Sequence, residues 1–323
     1  MNDPRPPQPI QPASNADAVR IGLCTDTHLW LHGDNHVGSK GNLLPLAESG
    51  RIFAQLVEEL AGAAPDIVLH LGDFTCGGGY YHIPPSEFYA ATETSMVAFA
   101  RLSAPVFGLP GNHDCPPGTA VAPWRHMETC WGLQPGLGRT IDTPYARLIL
   151  LNAQGHEPAQ IEAALPDDPI YGWVSEAELA RLEADLAGAD DKPVILFCHQ
   201  LLQPWRGDAP WREYYLVQNA PAVLDILAAA GNVAAVFQGH AHMLNVHTTA
   251  LGSRPCTFVI APAIIEYPLG WLELTLCDQG ITCRLRLLDL PELRQALGES
   301  GLGQYWRAGR EAWHNFTIPF ARA

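Results

Sequence analysis

Five short polar strings, each placed directly after an apolar run, constrain this chain more than any other feature. DTH (26–28) follows VRIGLC, GD (72–73) follows IVLHL, GNHD (111–114) follows VFGLP, His199 follows VILFC, and GHAH (239–242) follows VAAVFQ. An apolar run of this length bounded by turn signals reads as a buried strand. A polar string at its end puts the side chains at the C-terminal edge of a sheet, where the strand ends of open α/β proteins converge on ligands. The strings supply seven residues able to ligate a metal: Asp26, His28, Asp73, Asn112, His199, His240 and His242.

Between the strings the pattern alternates. Glu48–Ala63 carries Ile52, Leu56, Val57 and Leu60 at helical spacing and stops before Pro65. Pro85–Leu102 reads as a second helix, Arg147–Asn152 as a fourth strand, and Ser175–Leu186 as an amphipathic helix with Ser175 and Glu178 in a capping-box pattern. Ala220–Ala230 is helical, with Gly231 suited to cap it. Consecutive strands follow near 244–249, 256–261, 271–277 and 281–288. Alternating βα units followed by strands predict a layered α/β protein with a mixed sheet. Residues 1–18, rich in proline, read as a disordered lead-in, 19–290 as the catalytic domain, and 291–323 as a helical and aromatic tail outside it.

Composition narrows the function. No run of ~18 apolar residues predicts a membrane helix, and the start MNDPRPPQPIQPAS has no basic and apolar leader pattern, so a cytoplasmic location is expected. The eight cysteines form no CxxC pair and read as reduced, mostly buried thiols. The formal charge of −15 repels long polyanions, which argues against a nucleic-acid polymer as partner. A small phosphate ester remains compatible, because bound cations supply local positive charge.

The ligating set holds two carboxylates, four imidazoles and one amide, without a thiolate. That mixture suits Mn, Fe or Zn rather than a structural cysteine–zinc site. Asp26 and His28, like His240 and His242, are two apart, so an extended strand would turn both members of each pair to one side.

These strings, in this order, resemble the calcineurin-like metallophosphoesterase family, and GNHD and GHAH look closest to its bacterial cyclic-nucleotide and glycerophosphodiester phosphodiesterase branch. The resemblance implies a four-layer α/β/β/α sandwich of two mixed sheets over residues 19–290. It implies two metal ions bridged by Asp73, with Asp26, His28 and His242 completing one site and Asn112, His199 and His240 the other. It further implies a metal-activated hydroxide attacking a small phosphodiester in line. His113 would be the general acid or transition-state donor, with Asp114 orienting its ring. Phosphomonoesters or nucleotide pyrophosphates are the alternative substrates; a non-catalytic scaffold and a nuclease are less consistent with a complete ligand set and an acidic chain. One departure is Cys76, in GDFTCGG, where many relatives carry Asp, Glu or Tyr. A metal-tyrosinate is thereby disfavoured, and Cys76 reads as a small packed residue with a thiolate contact as the alternative.

Other candidates are weaker. His70 in IVLHL reads as a hydrogen-bonded core residue. His32 and His36 lie on the loop after DTH and are candidate substrate contacts. So are Trp205, Arg206, Trp211, Arg212 and Tyr214, in the loop after His199, which suits stacking of a base or pairing with a second phosphate. The tail aromatics read as packing, either internal or in a homo-oligomer. The string IAPAIIEYPLGWLEL (260–274) is expected to be structural, at the rim of the site.

Overall fold

The apolar runs become strands whose side chains alternate between two cores. In the computed structural model, which describes residues 18–38, 40–78, 80–115, 122–156, 171–205 and 215–320, β1 (Val19–Cys24), β4 (Ile67–His70) and β5 (Val106–Gly108) pair in parallel. β12 (Gly270–Cys277), β13 (Gly280–Leu287) and β14 (Asn315–Pro319) extend that sheet antiparallel, in the order β14-β13-β12-β1-β4-β5. The second sheet runs β10-β11-β9-β8-β7-β6. Its members are β6 (Arg139–Asp142), β7 (Arg147–Leu150), β8 (Val194–Cys198), β9 (Val233–Gln238), β10 (Asn245–Leu251) and β11 (Arg254–Ile260). A small hairpin of β2 (His36–Val37) and β3 (Leu43–Leu44) stands apart.

Period-two alternation builds the layers. Ile21, Leu23 and Leu69 of one sheet meet Leu148, Ile195, Phe197, Phe237 and Val259 of the other in a central core. The alternate residues face outward. Cys24 and Val68 pack with helices α1 (Ser49–Ala63) and α2 (Pro85–Phe99). Ile149, Leu196, Val236 and Phe258 pack under α4 (Glu176–Ala187) and α5 (Ala220–Ala230). The result is the α/β/β/α sandwich expected from the sequence. Two further helices, α3 (Ala122–Cys130) and α6 (Pro291–Glu299), complete the described set. No helix is long and apolar enough to cross a membrane, among the described residues.

Two local expectations change. The segment 291–323 was placed outside the sandwich, yet β14 is an edge strand of the first sheet, with Ile318 buried in the central core. Its alternating pattern is too short to read as a strand by itself; pairing with β13 makes it one. The lead-in at 1–17 lies outside the described residues. The capping box is half formed. Glu178 N donates to Ser175 Oγ at 3.2 Å, but the Glu178 carboxylate turns inward and accepts from Gly138 N, Asn152 N and Arg181. All eight cysteines are free thiols.

Glu178 is fully buried and Arg181 18% exposed, so Glu178→Ala strands two backbone donors and leaves Arg181 paired with Asp185 alone. The expected cost is about 3 kcal/mol, at the lower end for a broken buried pair because water reaches Arg181. Urea unfolding checks it; a loss below ~1 kcal/mol would show that the network contributes little.

Candidate metal centre

Each polar string leaves its strand through a sharp turn. Asp26 N donates to Gly72 O, His28 N to Asp73 O and Leu29 N to Phe74 O, so the chains beyond β1 and β4 stay zipped together past the sheet edge. Five of the seven ligating residues hold positive φ there: Asp26 (55°), His28 (42°), Asp73 (56°), His240 (63°) and His242 (51°). Left-handed backbone costs an L-residue of order 1–3 kcal/mol and clusters at functional sites. The i, i+2 pairs therefore share a face for a different reason from the one expected. They are not extended: both members of each pair sit in left-handed turns, which swing alternate side chains into one pocket.

Asp73 is central. Gly72 has φ 115°, and a side chain on it would run into Gly111 N at 2.6 Å and His199 Nδ1 at 2.9 Å. Gly111 in turn lies against Asp73. Two glycines thus let the second and third strings touch. Asp73 Oδ1 accepts from His113 N at 2.7 Å, while Oδ2 is buried with no hydrogen bond.

The ligand atoms fall into two overlapping groups. Asp26, His28, Asp73 and His242 form one and Asp73, His199 and His240 the other, with the ligating atoms of each within 4.8 Å of one another. Asn112 Oδ1 joins the second group, 3.1 Å from His199 Nε2. Asp26, His28, Asp73, Asn112 and His199 are fully buried; His240 (6%) and His113 (8%) meet solvent, as does the half-buried His242.

The hydrogen bonds behind the ligands favour a positive charge between them. His242 Nδ1 donates to Glu266 Oε2 at 2.7 Å, so Nε2 carries the lone pair of the neutral ring. That lone pair faces Asp26 Oδ1 at 3.1 Å and His28 Nε2 at 3.2 Å. His199 repeats the motif: Nδ1 donates to Leu71 O at 3.0 Å, and Nε2 faces Asp73 Oδ2 at 3.2 Å. Acceptors aimed at acceptors repel unless a proton or metal ion lies between them. The donor set, the overlapping groups and the buried Asp73 Oδ2 all fit metal ions.

Without an ion, protons take those places. Burial disfavours charge on His242, but Asp26 and Glu266 outweigh it and raise its pKa to about 10. His199 rises to about 8, burial again being outweighed by Asp73. Burial drops His28 and His240 to about 3, leaving both neutral and ready to ligate. The same imidazoles hold Asp26 and Asp73 well below the usual carboxylate range, despite burial.

Asp114 does not orient His113. Its carboxylate accepts from Gly111 N and Asp73 N at 2.8 Å, Phe74 N at 2.9 Å and Thr75 N at 3.2 Å. The side chain turns back toward the loop after β4, where a cluster of backbone donors needs an acceptor, and so it staples GD to GNHD. The His113 ring is fixed instead by Nδ1–H donating to Gly77 O at 2.8 Å, with the ring 5.1 Å from that of His28. Cys76 donates to His28 O at 3.2 Å, and burial pushes its thiol pKa well up, so it packs as a thiol rather than ligating as a thiolate. His70 is the core residue expected. It accepts from Gly72 N, faces Thr27 Oγ1 at 3.1 Å and stacks on Phe74 at 3.6 Å.

His36 lies near the centre, its Nε2 3.0 Å from the Tyr80 hydroxyl and its ring 5.7 Å from Tyr81. Tyr81 in turn sits 5.0 Å from His113 and 5.7 Å from His28. His32 is exposed, and no contact of it with the cluster occurs among the described residues. Trp205 is 6% exposed and packs with Ala241, Met243 and Tyr215 beneath the GHAH turn, so it supports the turn rather than facing solvent. Arg206, Trp211, Arg212 and Tyr214 lie outside the described residues. Sequence reading missed Tyr80, Tyr81, Glu266 and Arg307. Glu266 sits in the string at 260–274 expected only to be structural, and Arg307 in the tail; neither shows a spacing that links it to His242.

Comparisons with known proteins identify the family. The sequence model of the calcineurin-like phosphoesterase family matches residues 19–244, and the chain belongs to that family. It is 27% identical over 224 residues to a probable cyclic nucleotide phosphodiesterase of Pseudoalteromonas sp., covering 69% of this chain and 71% of the relative. A 3',5'-cyclic adenosine monophosphate phosphodiesterase of Vibrio vulnificus is 25% identical, covering 84% and 91%. A glycerophosphodiester phosphodiesterase of Enterobacter lignolyticus is 27% identical, covering 66% and 68%. Among solved structures, a dimetal phosphatase from Danio rerio shares the fold, with TM-score 0.69 and 16% identity over 94% of this chain and all (100%) of that one.

Because protons hold the places of ions, metal uptake must release them. Below about 8, binding displaces protons from both His199 and His242; between about 8 and about 10, from His242 alone. Metal affinity is therefore expected to rise with pH, more steeply below about 8 than above it. Calorimetric titration in buffers of different ionisation enthalpy reads the protons directly, and binding with no proton release refutes the acceptor-crowding account.

Proposed function

We propose that the protein is a dinuclear, metal-dependent hydrolase of small phosphodiesters. The observation that carries this reading is the pair of ligand groups sharing Asp73, with His113 beside them and solvent reaching the cluster on the His113 and His240 side. Asp73 is read as the bridge, Asp26, His28 and His242 as one ligand set, and Asn112, His199 and His240 as the other. Manganese, iron and zinc all suit these donors. When bound, the ions would neutralise phosphoryl oxygens and lower the pKa of water they coordinate.

The remaining work falls to the chain. Asp26 and Asp73, both anionic, would offset the positive charge of the ions, Asp73 belonging to both ligand groups. Asp114 holds the Asp73 turn against GNHD, so the distance between ligand sets is set by backbone. His113 donates Nδ1–H to Gly77 O, which leaves Nε2 to act. In its protonated form Nε2–H donates to the leaving oxygen, giving general acid help worth ~10²–10⁴ in rate. Tyr81, half-buried, and Tyr80, 52% exposed, continue from His113 to His36 as an aromatic wall for a planar or apolar leaving group. The names of the Pseudoalteromonas, Vibrio and Enterobacter relatives support diesters over monoesters.

Rates on bis-p-nitrophenyl and mono-p-nitrophenyl phosphate, with Mn, Fe or Zn supplied, test the reading; a clear monoester preference overturns it in favour of a phosphomonoesterase. His113→Ala is expected to lower kcat by ~10²–10⁴-fold with metal content unchanged. Loss of metal in that variant would make His113 a ligand instead of a proton donor.

A further inference from the structure

The C-terminal segment beyond the family-matched region reaches back to the metal centre. A 3₁₀ turn, Tyr305–Ala308, places Arg307 beside the GHAH turn. Arg307 Nη1 donates to His242 O at 2.8 Å and lies 3.2 Å from Glu266 Oε2. The same Glu266 oxygen accepts from His242 Nδ1 at 2.7 Å. Arg307 thus touches both ends of one residue: its carbonyl directly and its ring through Glu266. We propose that Arg307, acting with Glu266, is a positioning residue for His242, and that the tail is a clasp that sets how tightly the centre holds its ions. The proposal rests on reading His242 as a metal ligand.

Arg307 is itself held from three sides. Nε donates to Gln304 Oε1 at 2.9 Å, its carbonyl accepts from Leu244 N at 2.7 Å, and its guanidinium lies 4.8 Å from the Trp306 ring centre. Gln304 is 7% exposed, so the turn is docked rather than surface-borne. Gly309, with φ 68°, passes so close to Leu244 O that a side chain there would collide with it. Leu244 lies two residues past His242, so the clasp holds the turn by its C-terminal end.

The hold on His242 differs from those on its neighbours. Its φ of 51° is a left-handed conformation that its own strand does not impose. His199 is oriented by the sheet itself, through Leu71 O, and His28 Nδ1 has no hydrogen bond. His242 instead relies on a carboxylate, whose charge would be unbalanced beside Asp26 and Asp73 without a cation from outside the ligand set. Arg307 is that cation. Partners of this kind fix the ring and raise its basicity, and losing one weakens metal affinity by ~10–100-fold.

The test uses full-length protein stripped of metal with a chelator and titrated with Co²⁺, read by visible absorbance. Arg307→Gln is expected to weaken one of two binding steps by ~10–100-fold and to shift its absorption band, leaving the other step unchanged. Glu266→Gln should do the same. The double variant should be no worse than the weaker single one, because both remove the same hold. Arg310→Gln, which removes a tail arginine over Trp313 that lies outside the cluster, is the control and should bind as wild type. If Arg307→Gln does not fold, Arg307→Lys keeps the charge without the two-point grip and should weaken the same step. Unchanged Co²⁺ binding in the Arg307 and Glu266 variants overturns the clasp. So does an equal loss in Arg310→Gln, which would mean general destabilisation. Because ion binding is the readout, a protein inactive on every diester that still shows the weakened step removes the phosphodiesterase reading and leaves this one standing.

Discussion

The structure turns on acceptor atoms held against one another around Asp73. Its Oδ2 is buried without a hydrogen bond, with His199 Nε2 at 3.2 Å and His28 Nε2 at 3.6 Å. Left alone, such an arrangement would relax, because each lone pair would turn toward a donor or toward water. It is kept from relaxing because several of the ligating groups are fixed from behind. Leu71 O holds His199, Glu266 holds His242, and four backbone N–H groups hold Asp114 and with it the Asp73 turn. The fold therefore concentrates a demand for positive charge at one point, which protons on His199 and His242 or bound metal ions can meet.

The backbone carries the same tension. Five ligands in left-handed turns together cost several kcal/mol at ~1–3 kcal/mol each. That cost is borne by the sandwich beneath them, whose strands are buried on both faces. A parallel strand ending in a polar turn is a rigid mount: the strand cannot slip without moving its whole side-chain set to the wrong face. The mount explains how candidate metal ligands so far apart in sequence are brought within 4.8 Å of one another in each group. It also explains the glycines. Gly72 and Gly111 occupy the two places where the turns after β4 and β5 touch, and there a side chain would force the ligand sets apart.

Most of the sandwich and all seven ligating positions were legible because both follow from short-range patterns. Apolar runs of strand length, helices at 3.6 spacing and polar strings at run ends survive without knowledge of tertiary contacts. What was not legible depends on contacts between distant segments. β14 is a strand only because β13 offers it a ladder. The inward turn of Glu178 depends on Gly138 and Asn152, donors from another part of the chain. Asp114 beside His113 invited a neighbour-to-neighbour reading, but its side chain answers to backbone donors of the preceding string. Glu266 and Arg307 lie 24 and 65 residues from His242 and carry no repeat that ties them to it. The left-handed turns were misread as extended strand for the same reason: their conformation is imposed by hydrogen bonds between loops.

The charge of the whole chain bears on what such a centre can serve. With 34 acidic against 19 basic residues, the surface field opposes a polyanion over its full length. Screening confines that field to ~8–10 Å at physiological salt. A small ester that reaches the mouth beside His113 and His240 is governed instead by the nearest charges, and once ions fill the two groups those charges are positive. Under the reading proposed above, ligand groups that draw phosphate and a net charge that opposes its polymers act together to favour a small ester.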